Sequence, residues 1–190
     1  MMGSKESVLR VVGIAGSLRR ASYNRGLLRA AVELAPQGMA VETFEIGEIP
    51  PFNEDLESTP PEPAKRLKAA IRAADALLIC TPEYNYGVPG LLKNAIDWVS
   101  RPYGDSALSH KPVALMGATI GISGTARAQA ALRQSFVFND SYCMAQPEVL
   151  VTNCADRFDT NGNLTDENTR QHVRKALVAL VEWAGRVRSI

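Results

Sequence analysis

The fold of this chain is decided by the stretch GIAGSLRRASYN, residues 13–24. It follows the apolar run Val8–Val12, which has the length and composition of a buried strand. It precedes an amphipathic run beginning at Leu27, in which apolar residues recur at helical spacing. Together the three segments predict a strand, a polar loop and a helix at the start of an α/β domain.

The loop in this stretch carries groups that suit an anion. Backbone N–H groups that converge before a helix form an anion-binding concavity, to which the helix dipole adds. Ser17 and Ser22 offer hydroxyls, Asn24 offers an amide, and Arg19 or Arg20 offers charge. The pattern favours a mononucleotide phosphate, because the chain lacks both a G-x-G-x-x-G loop here and a Walker G-K-[ST]. The alternative is a polar connection in which Ser and Asn cap the helix.

The composition is typical of a soluble globular protein. Its 190 residues suffice for a full core, so we expect a single domain over residues 1–190, with residues 1–7 flexible. A net charge of +1 argues against nucleic acid as the main partner, and no apolar run has membrane-spanning length. The three cysteines show no C-x-x-C spacing, which fits a reducing compartment and predicts a cytoplasmic protein.

Short apolar runs alternate with amphipathic runs along the chain. The run Asp75–Cys80 is apolar almost throughout, which is typical of a parallel strand buried on both faces. The connection from Ile49 to Pro63 is long, so we expect it to cover another element. The predicted strands are Val8–Ile14, Met39–Phe44, Asp75–Cys80, Lys111–Ala118 and Cys143–Val151, the last interrupted by Gln146-Pro147. The predicted helices cover Leu27–Ala35, Ala64–Ala74, Leu91–Val99, Ala126–Phe138 and Thr165–Val187.

Five strands alternating with five helices predict an α/β fold, a flavodoxin-like three-layer sandwich with a five-stranded parallel sheet. Right-handed crossovers favour the strand order 2-1-3-4-5, whose switch point lies between strands one and three. Ligands bind at such a point, outside the carboxyl ends of the strands. The loops Ala15–Asn24 and Thr81–Gly87 would therefore flank one crevice, with Thr119–Thr125 beside it.

The loop after strand three, residues 82–87, offers a surface for a flat heteroaromatic ring. The ring could lie against Tyr84, and backbone amides from Glu83 to Tyr86 could bind its edge. A phosphate in the first loop and a flat ring at this one match the length of FMN. Alternatively, the tyrosines are surface residues of a turn or of a subunit interface. The Glu83 carboxylate is then a solvated group rather than an acid or base.

The third loop, Gly121–Thr125, opens the fourth helix. Its amides could face the pyrimidine side of a flavin, where a helix N-terminus would favour the anionic reduced ring. It could equally be a glycine-rich turn with Ser123 or Thr125 as the N-cap. Arg127 and Arg133 follow, either as solvated helix residues or as contacts for an anionic cosubstrate, and solvation is the expectation for Arg133.

Two motifs carry a resemblance to a known family. The first is G-S-L-R-x-x-S-x-N at Gly16–Asn24, and the second is T-P-E-Y-N-Y-G-V-P-G-x-L-K-N-A-I-D-W-x-S-R at Thr81–Arg101. With these motifs the chain resembles the NAD(P)H-dependent FMN reductases of flavodoxin-like fold, in particular the bacterial quinone and chromate reductase branch. Weaker agreement covers Gly121–Arg133 and Pro147-Glu148, within a similarity that runs from Val8 to Val187.

The resemblance implies an enzyme that passes hydride from NADPH, or NADH, through bound FMN to a small-molecule acceptor such as a quinone, chromate, an azo compound or flavin. The cofactor carries the chemistry, so no catalytic side chain and no metal is implied. Relatives are usually homodimers or homotetramers, with interface contacts at the positions of Arg127 and Glu148. The implied FMN contacts are Ser17, Arg19, Ser22 and Asn24 for the phosphate, Pro82, Glu83, Tyr84, Asn85 and Tyr86 for the isoalloxazine, and Ser123 and Gly124 near the flavin or its ribityl chain.

Three other functions stay open on the residues alone. A flavodoxin-type electron carrier docks its partners by charge, which a near-neutral chain fits poorly. An FMN-binding redox sensor would hold the cofactor without turnover. A phosphohydrolase would need a cysteine or aspartate nucleophile in the first loop, which has neither. His110 and His172 are the only histidines and lie far apart in the sequence, so neither is expected to be catalytic or to bind a metal.

Overall fold

The computed structural model describes residues 8–188, and residues 1–7, expected to be flexible, lie outside this range. The strands are β1 (Leu9–Ala15), β2 (Met39–Phe44), β3 (Ala76–Cys80), β4 (Pro112–Ala118), β5 (Tyr142–Cys143) and β6 (Val149–Val151). The helices are α1 (Tyr23–Glu33), α2 (Glu62–Ala73), α3 (Gly90–Val99), α4 (Ala126–Phe138) and α5 (Glu167–Val187). Up to the end of α4, strands and helices alternate along the chain in the predicted order.

The strands pair in parallel in the order β2-β1-β3-β4-β5, which confirms the predicted order. The predicted fifth strand is divided into two short strands that both pair with β4. β5 pairs at Pro112 and Val113, near the start of β4, whereas β6 pairs at its carboxyl end. The division falls at Gln146-Pro147, because proline has no N–H to donate to a sheet.

The central strands β3 and β4 are buried on both faces, and alternate residues of each enter two separate cores. In β3, Leu78 and Cys80 pack toward the core that contains α1 and α5, whereas Leu77 and Ile79 pack toward α2, α3 and α4. This explains the nearly continuous apolar runs of the central strands. Among residues 8–188, no helix has both the length and the apolar character that crossing a membrane requires.

The first helix begins earlier than predicted and shortens the polar loop to residues 16–22. Ser22 is the N-cap of α1, and its hydroxyl accepts a hydrogen bond from the Arg25 N–H at 3.4 Å. Tyr23 and Asn24 are therefore the first two residues of the helix rather than part of the loop. One of the serines of this stretch, Ser22, thus caps the helix, as the alternative interpretation of the loop predicted.

The long connection after β2 covers α3, as expected from its length. The Pro50 carbonyl accepts hydrogen bonds from the Trp98 indole N–H at 2.8 Å and from the Asn94 amide at 3.0 Å. The Phe52 ring lies edge-on to the Trp98 ring, with 5.0 Å between the centroids. This connection therefore packs on α3.

The carboxyl ends of three neighbouring strands meet at one edge of the sheet. Pairing aligns Ala15 of β1 with Cys80 of β3, and Cys80 with Met116 of β4. The Gly16 N–H then donates to the Cys80 carbonyl at 2.9 Å, and the Thr81 N–H to the Met116 carbonyl at 2.9 Å. The loops that follow β1, β3 and β4 consequently leave the sheet side by side.

Gly117 of β4 lets the two loops beyond this edge approach the sheet. A Cβ atom at this position would lie 1.7 Å from Thr125 Oγ1 and 2.8 Å from the Thr81 carbonyl oxygen. Thr81 and Thr125 are both fully buried, so neither can move aside without displacing its loop. A side chain at position 117 would therefore disturb the start of the second loop and the end of the third.

We expect Gly117→Ala to lower the free energy of unfolding by about 1–3 kcal/mol, the usual cost of overpacking. The matched control is Gly185→Ala on the exposed face of α5, where an added Cβ meets nothing within 4 Å. That change should raise stability by up to about 1 kcal/mol, because alanine favours a helix more than glycine does. Urea unfolding measures both, and equal stability of Gly117→Ala and the wild type would contradict the packing described.

Candidate functional site

A cleft of about 230 Å³ opens where the loops after β1, β3 and β4 leave the sheet. All three loops contribute to its walls. Its lining residues are Ser17, Arg19, Ser22, Tyr23, Asn24, Pro82, Glu83, Tyr84, Ala118, Thr119 and Ile120. The topology thus brings together most of the residues that the sequence motifs singled out.

The wall formed by the first loop is rich in hydrogen-bond donors. Ser17 and Ser22 are buried, and the Ser17 hydroxyl accepts from the Arg19 N–H at 3.3 Å while lying 3.4 Å from the Tyr84 hydroxyl. Helix geometry leaves the N–H groups of the first turn without intrahelical acceptors. In α1 Ser22 caps the Arg25 N–H, whereas the Tyr23 and Asn24 N–H groups at the helix start have no acceptor within residues 8–188. This end of the cleft suits an anion.

Arg19 is held in place beside this wall. Its Nη2 donates to the Ala21 carbonyl at 2.6 Å, and its Cζ lies 5.5 Å from the centroid of the Tyr23 ring. The Tyr23 ring in turn packs on Phe158, with 5.1 Å between the ring centroids. The guanidinium is exposed but ordered by these contacts, which place a positive charge at the anion-binding end.

The Asn24 side chain differs from the sequence expectation. Its amide was considered as a donor to an anion, but the Nδ2 group donates to the Ala118 carbonyl at 2.9 Å. Its Oδ1 atom accepts from the Ala118 N–H, also at 2.9 Å. Each such buried hydrogen bond contributes about 1 kcal/mol, so Asn24 fixes the start of α1 to the end of β4. Its backbone N–H is the group it can offer to a ligand.

The second wall is formed by a tight turn after β3. The Tyr84 N–H donates to the Gly87 carbonyl at 3.2 Å, and the Gly87 N–H to the Tyr84 carbonyl at 2.9 Å. The two central residues, Asn85 and Tyr86, have positive φ angles of 49° and 63°. Two-residue turns of this kind require positive φ at both positions. Tyr84 lines the cleft, whereas Asn85 and Tyr86 are exposed and lie outside its lining.

Glu83 does not behave as a solvated loop carboxylate. Its side chain is 5% exposed, and its Oε2 accepts from the Arg127 and Ala128 N–H groups at 3.0 and 3.2 Å. Its Oε1 accepts from the Arg127 Nε at 2.8 Å. Burial opposes ionisation, but the hydrogen bonds and charge of Arg127 and the Ala128 N–H outweigh it and hold the pKa of Glu83 below its usual value. Glu83 therefore caps α4 from a different loop.

This cap alters the expectation for the third loop. Thr125 occupies the N-cap position of α4, but in a left-handed conformation and without a side-chain capping bond. The N-terminal end of the helix already faces the Glu83 carboxylate, so its dipole is not free to favour an anionic ring. The Ser123 hydroxyl accepts from the Thr125 N–H at 3.3 Å, and Gly124 is buried against Leu150. Neither lines the cleft.

The two arginines of α4 are engaged within the chain. Arg127 pairs with Glu83, and its Cζ lies 3.6 Å from the centroid of the Tyr86 ring. The Arg133 Nη1 donates to the Met144 carbonyl at 2.9 Å and contacts Cys143 Sγ at 3.3 Å. Its guanidinium is therefore bound within the chain, whereas the sequence led us to expect a solvated side chain. These contacts disfavour a direct role for either in binding an anionic cosubstrate.

Four lining residues were not named as cofactor contacts from the sequence, although all but Ala118 lie in the loops predicted to surround the crevice: Tyr23, Ala118, Thr119 and Ile120. The signal for the last three was their position at the carboxyl end of β4 and directly after it, at the same edge as the two motif loops. Tyr23 stands at a motif position that any residue can fill. Tyr23 lines the cleft because α1 begins at this residue, directly after the N-cap Ser22.

Among residues 8–188, the other reactive groups considered are engaged within the chain or buried. A cavity of about 250 Å³ between β6 and α5 contains Arg157 and His172. Arg157 is bound to Asp166 at 2.9 Å, and the His172 Nε2 lies 3.0 Å from the Glu148 carbonyl oxygen. Burial raises the pKa of the Cys80 thiol and raises that of Cys154 to about 11, which disfavours thiolate chemistry at both.

The residues present in the cleft fit a flavin mononucleotide. One end carries hydroxyls, helix N-terminal N–H groups and a guanidinium, which is the donor set a phosphate needs. The other end carries Pro82, Tyr84 and the backbone of a tight turn, against which a flat ring can pack. The fold and this cleft define an α/β flavoprotein of flavodoxin-like architecture.

Comparison with known proteins gives the family. The profile of the NADPH-dependent FMN reductases matches residues 9–156, and the chain belongs to that family. An NAD(P)H-dependent FMN reductase of Pseudomonas aeruginosa is 47% identical over 181 residues, covering 95% of this chain and 97% of that protein. A quinone reductase of Pseudomonas putida is 46% identical, covering 93% of this chain and 95% of that protein.

The solved structure of a flavoenzyme NAD(P)H:(acceptor) oxidoreductase from Paracoccus denitrificans superposes with a TM-score of 0.86. The two chains are 37% identical, and the match covers 94% of this chain and 98% of that one. The fold and the family relation thus agree over nearly the whole length. The chain is an NAD(P)H-dependent oxidoreductase with FMN as its cofactor.

Proposed function

We propose that the cleft is the FMN site and that one domain, residues 1–190, holds the cofactor. Ser17, Arg19, Ser22 and the N-terminus of α1 would bind the phosphate, with Asn24 securing that helix to β4. The supporting observation is the donor-rich wall beside the start of α1. When bound, FMN supplies the two-electron hydride chemistry.

The ring would lie against the second wall, with its edge toward the third loop. Pro82, Glu83, Tyr84, Asn85 and Tyr86 would provide the surface and the shape of the turn. Ser123 and Gly124 would act from behind the cleft, by fixing the path of the loop that carries Thr119 and Ile120. The outward rim of the cleft is left open for the nicotinamide and the acceptor.

Replacing both Ser17 and Arg19 by alanine should weaken FMN binding by tenfold or more, since charge-assisted hydrogen bonds contribute about 1.5–3 kcal/mol each. Riboflavin lacks the phosphate, so its affinity should change little. Arg20→Ala is the control, because Arg20 is in the same loop but outside the cleft lining. Fluorescence titration measures all affinities. An equal loss for FMN and riboflavin, or unchanged FMN affinity, would refute the phosphate assignment.

We further propose that the acceptor is a quinone and that NADPH is the preferred cosubstrate. Tyr84 and Ile120 line the cleft while remaining 52% and 69% exposed, which gives an apolar rim suited to a flat ring. The charge of Arg127 is balanced by Glu83, so the α4 side of the cleft provides no unpaired positive charge from this residue for a metal oxyanion. Arg20 is exposed in the first loop, next to Arg19, and its charge favours the extra phosphate of NADPH.

Steady-state kinetics test this proposal. We expect kcat/KM for a benzoquinone to exceed the values for chromate, an azo dye and free flavin at a fixed NADPH concentration. We also expect kcat/KM for NADPH to exceed that for NADH. Preference for NADH, or for chromate, would contradict the corresponding assignment. Bound FMN without turnover of any acceptor would instead support an electron carrier or a redox sensor.

The outward face of α4 supports a homodimer or homotetramer. Exposed apolar residues that lie together on a surface often mark a contact with another protein, and this face is exposed in the single chain. Its exposed apolar residues are Ala130, Ala131, Val137 and Phe138, with Ile122 just before the helix. Sedimentation velocity should report a dimer or tetramer at micromolar concentration, and a monomer would contradict this proposal.

We also propose a cytoplasmic location and small-molecule partners, which the composition supports. Cys80, Cys143 and Cys154 are free thiols, which supports a reducing compartment and hence the cytoplasm. The net charge of +1 supports a small-molecule substrate rather than nucleic acid or an anionic membrane surface. Cell fractionation checks the location.

A further inference from the structure

Arg127 contacts two residues of the second loop at once. Its Nε and Nη2 atoms lie 2.8 and 2.5 Å from Glu83 Oε1, and its Cζ lies 3.6 Å from the centroid of the Tyr86 ring. A planar guanidinium can form a forked ion pair and stack on an aromatic ring together, whereas a lysine ammonium cannot. Arg127 is outside the cleft lining, so these contacts are its connection to the site.

The turn that Arg127 contacts has an unfavourable backbone. Asn85 and Tyr86 have φ angles of 49° and 63°. Asparagine tolerates the left-handed region, but a bulky residue such as tyrosine rarely adopts it. Such a conformation persists only where surrounding contacts hold it. The stacking of Arg127 on the Tyr86 ring is a contact of this kind, and it acts on the strained residue itself.

The attachment of the turn is much stronger toward α4 than toward the first loop. On the first-loop side, the Tyr84 hydroxyl lies 3.4 Å from the Ser17 hydroxyl, longer than a usual O–H···O hydrogen bond. On the α4 side, Glu83 accepts hydrogen bonds from the backbone N–H groups of Arg127 and Ala128 and from the Arg127 side chain. The position of the turn therefore depends mainly on Glu83 and Arg127.

We propose that Arg127 is a positioning residue, which fixes the Glu83–Gly87 turn to α4 and so sets the surface that faces the flavin ring. It acts through Glu83 and Tyr86 and does not itself contact the reacting atoms. The proposal rests on the proposed function, because it takes this turn as the ring-binding wall. It adds a role for a helix residue that the cleft lining does not reveal.

The test compares Arg127→Ala, Arg127→Lys and the double variant Glu83→Gln/Arg127→Ala, each loaded with FMN. Arg127→Ala leaves a buried carboxylate without its cation, and the double variant removes that charge should the single variant not fold. The control is Arg66→Ala, which breaks an exposed Arg–Glu pair with Glu48 on the protein surface. Circular dichroism of the flavin bands and stopped-flow reduction by NADPH, at saturating FMN, are the readouts.

We expect flavin reduction to slow about ten- to a hundredfold in Arg127→Ala, because a displacement of about 1 Å can cost that much. Arg127→Lys should be similarly slow, since it keeps the charge but loses the fork and the stacking. The double variant should be no slower than Arg127→Ala, because the two residues act as a unit. The flavin dichroism should change in all three and stay unchanged in Arg66→Ala.

Wild-type rates and wild-type dichroism in the folded double variant would overturn the positioning role. A wild-type rate in Arg127→Lys would also overturn the proposal, because a positive charge alone, without the forked ion pair and the stacking, would then position the turn. Failure of the proposed function is distinguishable from both: the wild type and Arg66→Ala would themselves retain no FMN or show no reduction by NADPH. A loss confined to FMN affinity, with the rate at saturation unchanged, would likewise count against positioning.

Discussion

The alignment of three parallel strand ends is the constraint on which the rest of this structure depends. Hydrogen bonds from the Gly16 N–H to the Cys80 carbonyl and from the Thr81 N–H to the Met116 carbonyl bring the loops after β1, β3 and β4 to one edge. Residues far apart in the sequence therefore share one cleft. Gly117 keeps this edge free of a side chain, so that Thr81 and Thr125 can pack against it.

Two buried polar links then determine how the loops stand relative to one another. The Asn24 side chain binds both backbone groups of Ala118, which joins α1 to the end of β4. The Glu83 carboxylate binds the N-terminus of α4, which joins the second loop to the third. Each link uses a polar side chain that the sequence motif presents as a ligand contact. Asn24 and Glu83 can therefore belong to the motifs because they build the site, whether or not they contact the cofactor.

The strand order could be predicted from the sequence, because apolar strand-length runs and right-handed crossovers leave few arrangements. The convergence of the first two loops followed from that order. What could not be predicted were the partners of individual polar groups. Nothing in the local sequence around Glu83 indicates that it caps a helix 44 residues further on. The division of the last strand was visible only as an interruption at Pro147, and the early start of α1 depended on which serine caps it.

We propose that one cleft binds both ends of FMN, with the phosphate at the start of α1 and the ring at the turn after β3. The most direct measurement is a crystal structure of the protein with FMN bound. We expect phosphate oxygens within hydrogen-bonding distance of Ser17, Ser22 and the first N–H groups of α1, and the isoalloxazine against residues 82–86. A flavin bound in the cavity between β6 and α5, or one whose phosphate lies away from the first loop, would contradict it.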